Sequence, residues 1–142
     1  MPDAIRPFQV ELQFPVRTYD IDFAAHVSNI VYIRWLEDLR LAVLENHYPL
    51  EHALREGLAP VLVRTAIEYK RAITIFDKPL GRMWVSGMTR VRGVFSAEFV
   101  VEGNVMAVAE QIGCFINLSN GRPVPIPKEL HDKYFHHREH EQ

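Results

Sequence analysis

Apolar and polar residues alternate over residues 8–18, FQVELQFPVRT, so that every second side chain is apolar. This period of two is typical of a strand with one buried face. Pro15 lacks a backbone donor, so we expect this strand to lie at a sheet edge or to break there.

The spacing changes at residues 29–46, where charged residues interrupt a broad apolar sector. This pattern predicts a helix of about five turns that is mostly enclosed by the fold. Ser28 or Asn29 is the expected N-cap, and residues 51–57 predict a short second helix closed by Gly57.

Four segments with strand character follow: 61–71, 82–92, 94–102 and 105–118. Turn-forming residues separate them, as in an antiparallel meander, and residue 127 begins a short terminal helix. One helix cannot cover this much apolar sheet by lying flat on it. The sequence therefore predicts an α+β fold, a curved antiparallel sheet wrapped around one long central helix.

Chain length, net charge and cysteine content restrict the class of protein further. The chain of 142 residues fits one domain, which we place at residues 1–135, before a polar, His-rich, solvated tail at 136–142. A net charge of −2 argues against a broad nucleic-acid-binding surface. The single Cys114, the lack of a signal-like start and the lack of a long apolar run predict a cytoplasmic protein without membrane insertion.

Candidate chemistry lies just before the long helix. Asp20 and Asp22 would point to opposite sides of an extended segment, and Asp22 is closer to the helix. The first N–H groups of a helix lack internal partners and favour an anion or a developing oxyanion. A carboxylate there could attack a carbonyl or activate water, although on spacing alone an acid at this position is more often a helix cap or a partner of the helix dipole than a catalyst.

Residues 19–37, YDIDFAAHVSNIVYIRWLE, resemble the signature D-x-D-x-x-G-H-V-N-N-x-x-Y-x-x-W-x-E. This signature belongs to hotdog-fold acyl-CoA thioesterases of the 4-hydroxybenzoyl-CoA thioesterase type, and the order of elements fits that fold along nearly the whole chain. The resemblance implies hydrolysis of an acyl-CoA thioester to a carboxylic acid and coenzyme A, without a metal or redox cofactor.

The resemblance also implies roles for individual residues. Asp22 aligns with the aspartate that acts as nucleophile or general base, and the backbone N–H near Asn29 aligns with the donor to the thioester oxygen. His26 and Tyr32 match positions that shape the acyl pocket. Trp35 is expected to pack in the core, and Glu37 to pair with Arg34 or Arg40.

Two positions depart from the signature. Ala25 stands where the family often has glycine, so a positive φ there would strain the alanine. Ser28 stands where the family often has asparagine, and serine is a comparable helix cap.

Arg92, with Arg90 behind it, resembles the family's basic segment for the phosphates of coenzyme A, although arginines at strand ends are commonly just solvated. Cys114 is expected to be a packing residue. The histidines of the C-terminal segment are weak metal candidates: His131, His136, His137 and His140.

The family's sites lie between protomers, so the resemblance implies a homodimer or homotetramer. Two alternatives stay open, because a fold does not fix a function. One is a non-catalytic module that binds acyl-CoA or an acyl carrier. The other is a hotdog dehydratase or hydratase, for which His26 is the only histidine of the opening stretch.

Overall fold

The computed structural model describes residues 6–140, with side chains up to residue 138. A short 3-10 turn at Thr18–Asp20 precedes the long helix. The helices and strands in chain order are β1 (Val10–Gln13), α1 (Asn29–His47), α2 (Leu50–Arg55), β2 (Leu58–Tyr69), β3 (Leu80–Met88), β4 (Gly93–Val101), β5 (Asn104–Asn117), β6 (Pro123–Val124) and α3 (Lys128–His140).

The strands form one antiparallel sheet in the order β1-β3-β4-β5-β2, and β6 pairs with β5. Helix α1 packs against the concave face of this sheet and supplies much of the core. Leu36 and Leu39 of α1 are fully buried, and Trp35 stacks on Phe14 with ring centroids 5.0 Å apart. The expected α+β arrangement and the core role of Trp35 are therefore confirmed.

Strand β1 is shorter than the alternation predicts. It ends at Gln13, and the Phe14 N–H donates instead to the carbonyl oxygen of Pro79. Pro15 follows directly and has no N–H to continue the ladder. The strand pairs only with β3, at the edge of the sheet, as Pro15 indicates.

Strand β2 forms the opposite edge and pairs only with β5. Its register shifts between Leu62 and Arg64, so Val63 is the extra residue of a β-bulge. Leu62, Val63 and Tyr69 of this strand are between 37 and 49% exposed. This edge of the sheet is therefore long, exposes both apolar and polar side chains, and is unpaired among the described residues.

Helix α3 covers the end of the sheet beside the last turns of α1. Leu130 and Tyr134 are buried, and the Lys133 Nζ donates to the carbonyl oxygen of His47 at 2.9 Å. The helix continues through residue 140, past the boundary at 135 where the sequence predicts a solvated tail. The ring of His137 packs against Phe8, which anchors this part of the helix.

Candidate active site

Asp20 closes the turn that leads into the site. Its Oδ2 accepts the Arg17 N–H at 2.9 Å, and its carbonyl oxygen accepts the Ser28 N–H at 2.9 Å. The residue is 7% exposed. Asp20 therefore ties the two ends of the loop together and does not offer its carboxylate to solvent.

Asp22 lies at the exposed tip of the same loop. Ile21 and Val27 form an antiparallel bridge, and the Asp22 N–H donates to the carbonyl oxygen of His26 at 2.8 Å. Its Oδ1 accepts the N–H groups of Ala24 and His26 at 2.9 and 3.2 Å. Within the described residues no hydrogen bond engages Oδ2. The bonds to Oδ1 therefore fix the orientation of the carboxylate, and Oδ2 has no partner among the residues that the structure describes.

Ala25 adopts the left-handed conformation, with φ of 62°. The Ala25 N–H donates to the Asp22 carbonyl oxygen at 3.0 Å, and this hydrogen bond closes a tight turn over residues 22–25. An L-residue with a Cβ pays roughly 1–2 kcal/mol for this region, whereas glycine does not. The strain expected from the sequence at this position is present.

The N-terminus of α1 is open. Ser28 occupies the N-cap position, but its side chain makes no capping hydrogen bond, contrary to the expected role of the serine. The first turn contains no acidic residue, and Asn29 and Ile30 are exposed. The first N–H groups of a helix have no internal acceptor, so this end presents donors and a positive dipole to solvent.

The two other residues assigned from the signature lie in different surroundings. His26 is exposed and its backbone bridges to Thr74. Tyr32 is only 2% exposed, and its ring packs edge-on against Tyr69 and Phe99 at 5.0 and 5.5 Å. Burial, and secondly the neighbouring Tyr69, raise the pKa of Tyr32 to about 12, so it is a neutral phenol at neutral pH.

Arg90 and Arg92 lie at the other end of the molecule. They belong to the turn between β3 and β4, whose flanking residues Met88 and Gly93 line the same cavity as His47 of α1. Helix α1 has 19 residues and is about 28 Å long. Within one chain, the arginines and Asp22 are therefore separated by about the length of this helix.

Three exposed aromatic residues surround the Asp22 loop and were not anticipated from the sequence. Phe23 at the loop tip, Phe76 in the loop after Thr74, and Tyr19 before Asp20 are at least 76% exposed. Large rings fully exposed around a polar loop mark a binding surface more often than an ordinary surface. In the sequence, the one local indication of this surface is that Phe23 lies within a polar loop.

The remaining expectations concern side chains away from the loop. Glu37 and Arg40 form a hydrogen-bonded ion pair on α1, as the spacing predicts. Cys114 is half-buried in β5 and lines an apolar cavity, which agrees with a packing role. Among the described residues, no group of three or more histidine, cysteine or acidic side chains is placed to hold a metal ion. Within residues 6–140, no helix combines the length and apolar content needed to cross a bilayer.

Residues 16–134 match the thioesterase-like superfamily. Long-chain acyl-CoA thioesterase FadM of Escherichia coli strain K12 is 26% identical over 126 residues, covering 87% of this chain and 96% of that protein. The structure of YbaW, a probable thioesterase from Escherichia coli, has a TM-score of 0.79 and 27% identity, covering 87% and 94% of the two chains.

A third similarity concerns the fold alone. The DHNA-CoA thioesterase of Staphylococcus aureus has a TM-score of 0.84 at 18% identity, with 92% of this chain and 91% of that chain covered. The chain belongs to the thioesterase-like superfamily, with the hotdog fold that the signature implies, and it is a thioester hydrolase. The narrower likeness to the 4-hydroxybenzoyl-CoA type stays a prediction.

Proposed function

We propose that this enzyme hydrolyses acyl-CoA thioesters, with Asp22 as nucleophile or general base and the N–H at Asn29 as oxyanion donor. One observation carries the proposal. Backbone N–H groups fix Oδ1 of Asp22 while Oδ2 has no hydrogen-bond partner among the described residues, and the loop leads into an uncapped helix N-terminus.

This arrangement allows either a nucleophilic route or a general-base route to hydrolysis. The thioester oxygen accepts a hydrogen bond from the first turn of α1, which stabilises the charge that develops on it. In one route Oδ2 attacks the carbonyl carbon, the C–S bond breaks, and water then hydrolyses the resulting anhydride of Asp22. In the other route Oδ2 takes a proton from a water molecule that attacks directly. In both, the thiolate of coenzyme A leaves and is protonated.

The acyl-CoA assignment is supported by the relative from Escherichia coli, which is named an acyl-CoA thioesterase and aligns over nearly its whole length. Arg90 and Arg92 are exposed cations that suit the phosphates of coenzyme A. His26 and Tyr32 keep their proposed role beside the acyl group. The reaction as written requires no metal or redox cofactor, and a cytoplasmic location stays a prediction.

The separation between Asp22 and Arg92 favours a site shared by two copies of the chain. Edge strand β2 runs antiparallel to α1, because Tyr69 contacts Tyr32 near the start of the helix and Leu62 lines a cavity with residues of its last turns. Two β2 edges that pair antiparallel around a two-fold axis place opposite ends of the two chains side by side. Arg92 of the second copy would then approach Asp22 of the first.

Such a homodimer would also cover the exposed apolar residues of β2 and the aromatic residues beside Asp22. A tetramer would require a second contact surface.

Release of free thiol separates the candidate functions. Purified enzyme is mixed with short, long and aromatic acyl-CoAs, and thiol release, ligand binding and hydration of enoyl-CoA are measured in parallel. Thiol release with turnover supports the hydrolase. Saturable binding without turnover would instead indicate the binding module, and hydration without thiol release would indicate the hydratase.

The two hydrolytic routes differ in the fate of solvent oxygen. In a single turnover in isotopically labelled water, the anhydride route leaves label in the Asp22 carboxylate when water attacks the aspartyl carbonyl. The general-base route leaves label only in the released acid. Mass spectrometry of the peptide that contains Asp22 distinguishes them.

A further inference from the structure

The peptide bond between His26 and Val27 is hydrogen-bonded on both sides. Its carbonyl oxygen accepts the Asp22 N–H at 2.8 Å, and its N–H donates to the carbonyl oxygen of Ile73 at 2.8 Å. The C=O and N–H of a trans peptide point in opposite directions, so these two partners lie on opposite sides. His26 also forms an antiparallel bridge with Thr74. The returning arm of the Asp22 loop therefore lies between Asp22 and the segment at Ile73 and Thr74.

This segment is itself attached to the core and to a turn. Ile73 is fully buried, and its backbone is hydrogen-bonded to the hydroxyl of Tyr32 in α1. The Asp77 N–H donates to the carbonyl oxygen of Thr74 at 3.1 Å, which closes a β-turn. The turn and Ile73 together connect the Asp22 loop to α1 and the core.

The side chain of Asp77 reinforces this turn. Its Oδ2 accepts the Thr74 N–H at 2.8 Å and the Thr74 hydroxyl at 3.2 Å. Hydrogen bonds to an ionised acceptor are roughly twice as strong as bonds between neutral groups. Asp77 is half-buried, so water competes only in part for its oxygens. The carboxylate therefore holds Thr74 in the position from which it bridges to His26.

The carboxylate of Asp22 takes its orientation from the same arm of the loop. Its Oδ1 accepts the N–H groups of Ala24 and His26, and both residues are exposed. A shift of the peptide at His26 would move the carboxylate relative to the first turn of α1. A reacting group displaced by about 1 Å can lose a rate factor of about 10². Residues that hold His26 in place should therefore affect catalysis without contacting the substrate.

We propose that Asp77 is a positioning residue for hydrolysis, which holds Thr74 so that His26 keeps the Asp22 carboxylate aligned with the N-terminus of α1. The proposal rests on the proposed acyl-CoA hydrolysis at Asp22. Asp77 acts through the backbone of the loop and makes no contact with the reacting atoms. Its loss should therefore lower kcat, which depends on the alignment of the reacting groups, and change KM little.

The test compares Asp77→Ala with Asn117→Ala. Asn117 is a matched control, because its Oδ1 accepts the N–H and the hydroxyl of Ser119 at 2.8 and 2.6 Å in the turn after β5. Asp77→Ala should lower kcat for acyl-CoA hydrolysis about tenfold, with KM within about twofold of the wild type. Asn117→Ala removes the same kinds of hydrogen bond, so it should lower the melting temperature and leave kcat unchanged.

A conservative variant separates the hydrogen bonds of Asp77 from the rest of its side chain. Asp77→Asn keeps an acceptor oxygen but not the charge, so its kcat should lie between those of the wild type and Asp77→Ala. Full kcat in folded Asp77→Ala enzyme, or an equal loss of kcat in Asn117→Ala, would overturn the proposal. If Asp77→Ala does not fold, Asp77→Asn decides the test, and wild-type kcat in that variant would overturn the proposal.

Amide hydrogen exchange gives a second readout that does not depend on turnover. Asp77→Ala should raise the exchange rates of the Asp22 and Val27 N–H groups about tenfold and leave those of the buried turns of α1 unchanged. Asn117→Ala should leave both sets unchanged. Absence of thiol release by the wild-type enzyme from every acyl-CoA would reject the proposed function. Unchanged exchange at Asp22 and Val27 in Asp77→Ala would instead reject the positioning role.

Discussion

The two ends of α1 differ in how their free backbone groups are satisfied. At the C-terminal end, the Tyr48 N–H donates to the Leu44 carbonyl oxygen and Lys133 donates to that of His47. At the N-terminal end, the Ser28 hydroxyl makes no capping bond. A side-chain cap would contribute about 1 kcal/mol, so the open N-terminus lowers stability in exchange for available donors. One end of the helix is built for packing and the other is suited to bind an anion.

The largest expected effect is on kcat, and it should differ between Asp22 and Asp20, the two acidic residues that precede α1. Asp22→Asn keeps the size of the side chain and an oxygen for Ala24 and His26, so the fold should persist. The rate constant kcat should fall by about 10²–10⁴-fold, because an amide neither attacks nor accepts a proton effectively. Steady-state thiol release and the melting temperature measure the two quantities.

The matched control is Asp20→Asn. Asp20 is buried and accepts the Arg17 N–H, so its substitution should lower stability while kcat per folded molecule stays near that of the wild type. Full hydrolysis by a folded Asp22→Asn oligomer would show that the catalytic assignment is wrong.

A second prediction concerns the arginines at the packed end of α1. Arg92→Gln should raise KM for acyl-CoA about tenfold with little change in kcat, because it removes one charge-assisted contact to a phosphate. Arg55→Gln, on the surface of α2, is the control and should change neither parameter.

Mixed dimers test whether the two ends of α1 meet across an interface. If Arg92 of one copy serves Asp22 of the other, refolding Asp22→Asn together with Arg92→Gln should form some dimers with one intact site. In a random equal mixture this restores roughly a quarter of the wild-type activity at low substrate. Activity no greater than the average of the two parents would place both residues in the same copy's site, or Arg92 in neither.

A third prediction uses the acid dependence of stability. The pKa of His47 is lowered by burial to about 4, whereas in the unfolded chain it is near the ordinary value of 6.5. The unfolded state therefore binds the proton first, and the free energy of unfolding should fall as the pH decreases from about 6.5 toward 4. Allowing for solvent screening, we expect a contribution of about 1–2 kcal/mol.

Urea unfolding at a series of pH values checks this contribution. His47→Gln should flatten the profile in that window, because it removes the group whose pKa differs between the folded and unfolded states. An unchanged slope in the His47 variant would contradict the assignment.

The smallest expected effect is local to the Asp22 loop. Ala25→Gly removes the strain of a Cβ at φ 62°, which offsets the usual entropic cost of glycine. Its free energy of unfolding should therefore stay within about 0.5 kcal/mol of the wild type, or rise. Ala24→Gly, one residue earlier, should lose about 0.5–1 kcal/mol. Chemical denaturation of the pair compares them directly, and equal losses would argue against strain at Ala25.

Features that depend on residues close together in the sequence could be predicted from it. The long helix begins at Asn29 as predicted and ends at His47, one residue beyond the predicted end, because its apolar sector is continuous. The signature also located the loop of Asp22, and the glycine missing at position 25 correctly indicated strain.

Features that depend on tertiary packing were not predictable in the same way. The sequence shows that Arg92 lies in a turn, but the position of that turn beside the last turns of α1 follows from the order of the strands. The polar composition of residues 136–142 predicts a solvated tail after a short terminal helix, whereas helix α3 runs through residue 140. It continues because one side of it, with Tyr134 and His137, packs against the rest of the chain.

The bulge at Val63 has a consequence for insertions and deletions in β2. Removing one residue from a regular strand turns every side chain on one side of the deletion to the opposite face. Deleting Val63 removes the extra residue instead, so Leu62 and Thr65 would keep their partners Gly113 and Gln111. Position 63 is therefore where β2 could lose a residue during evolution without exchanging its inner and outer faces.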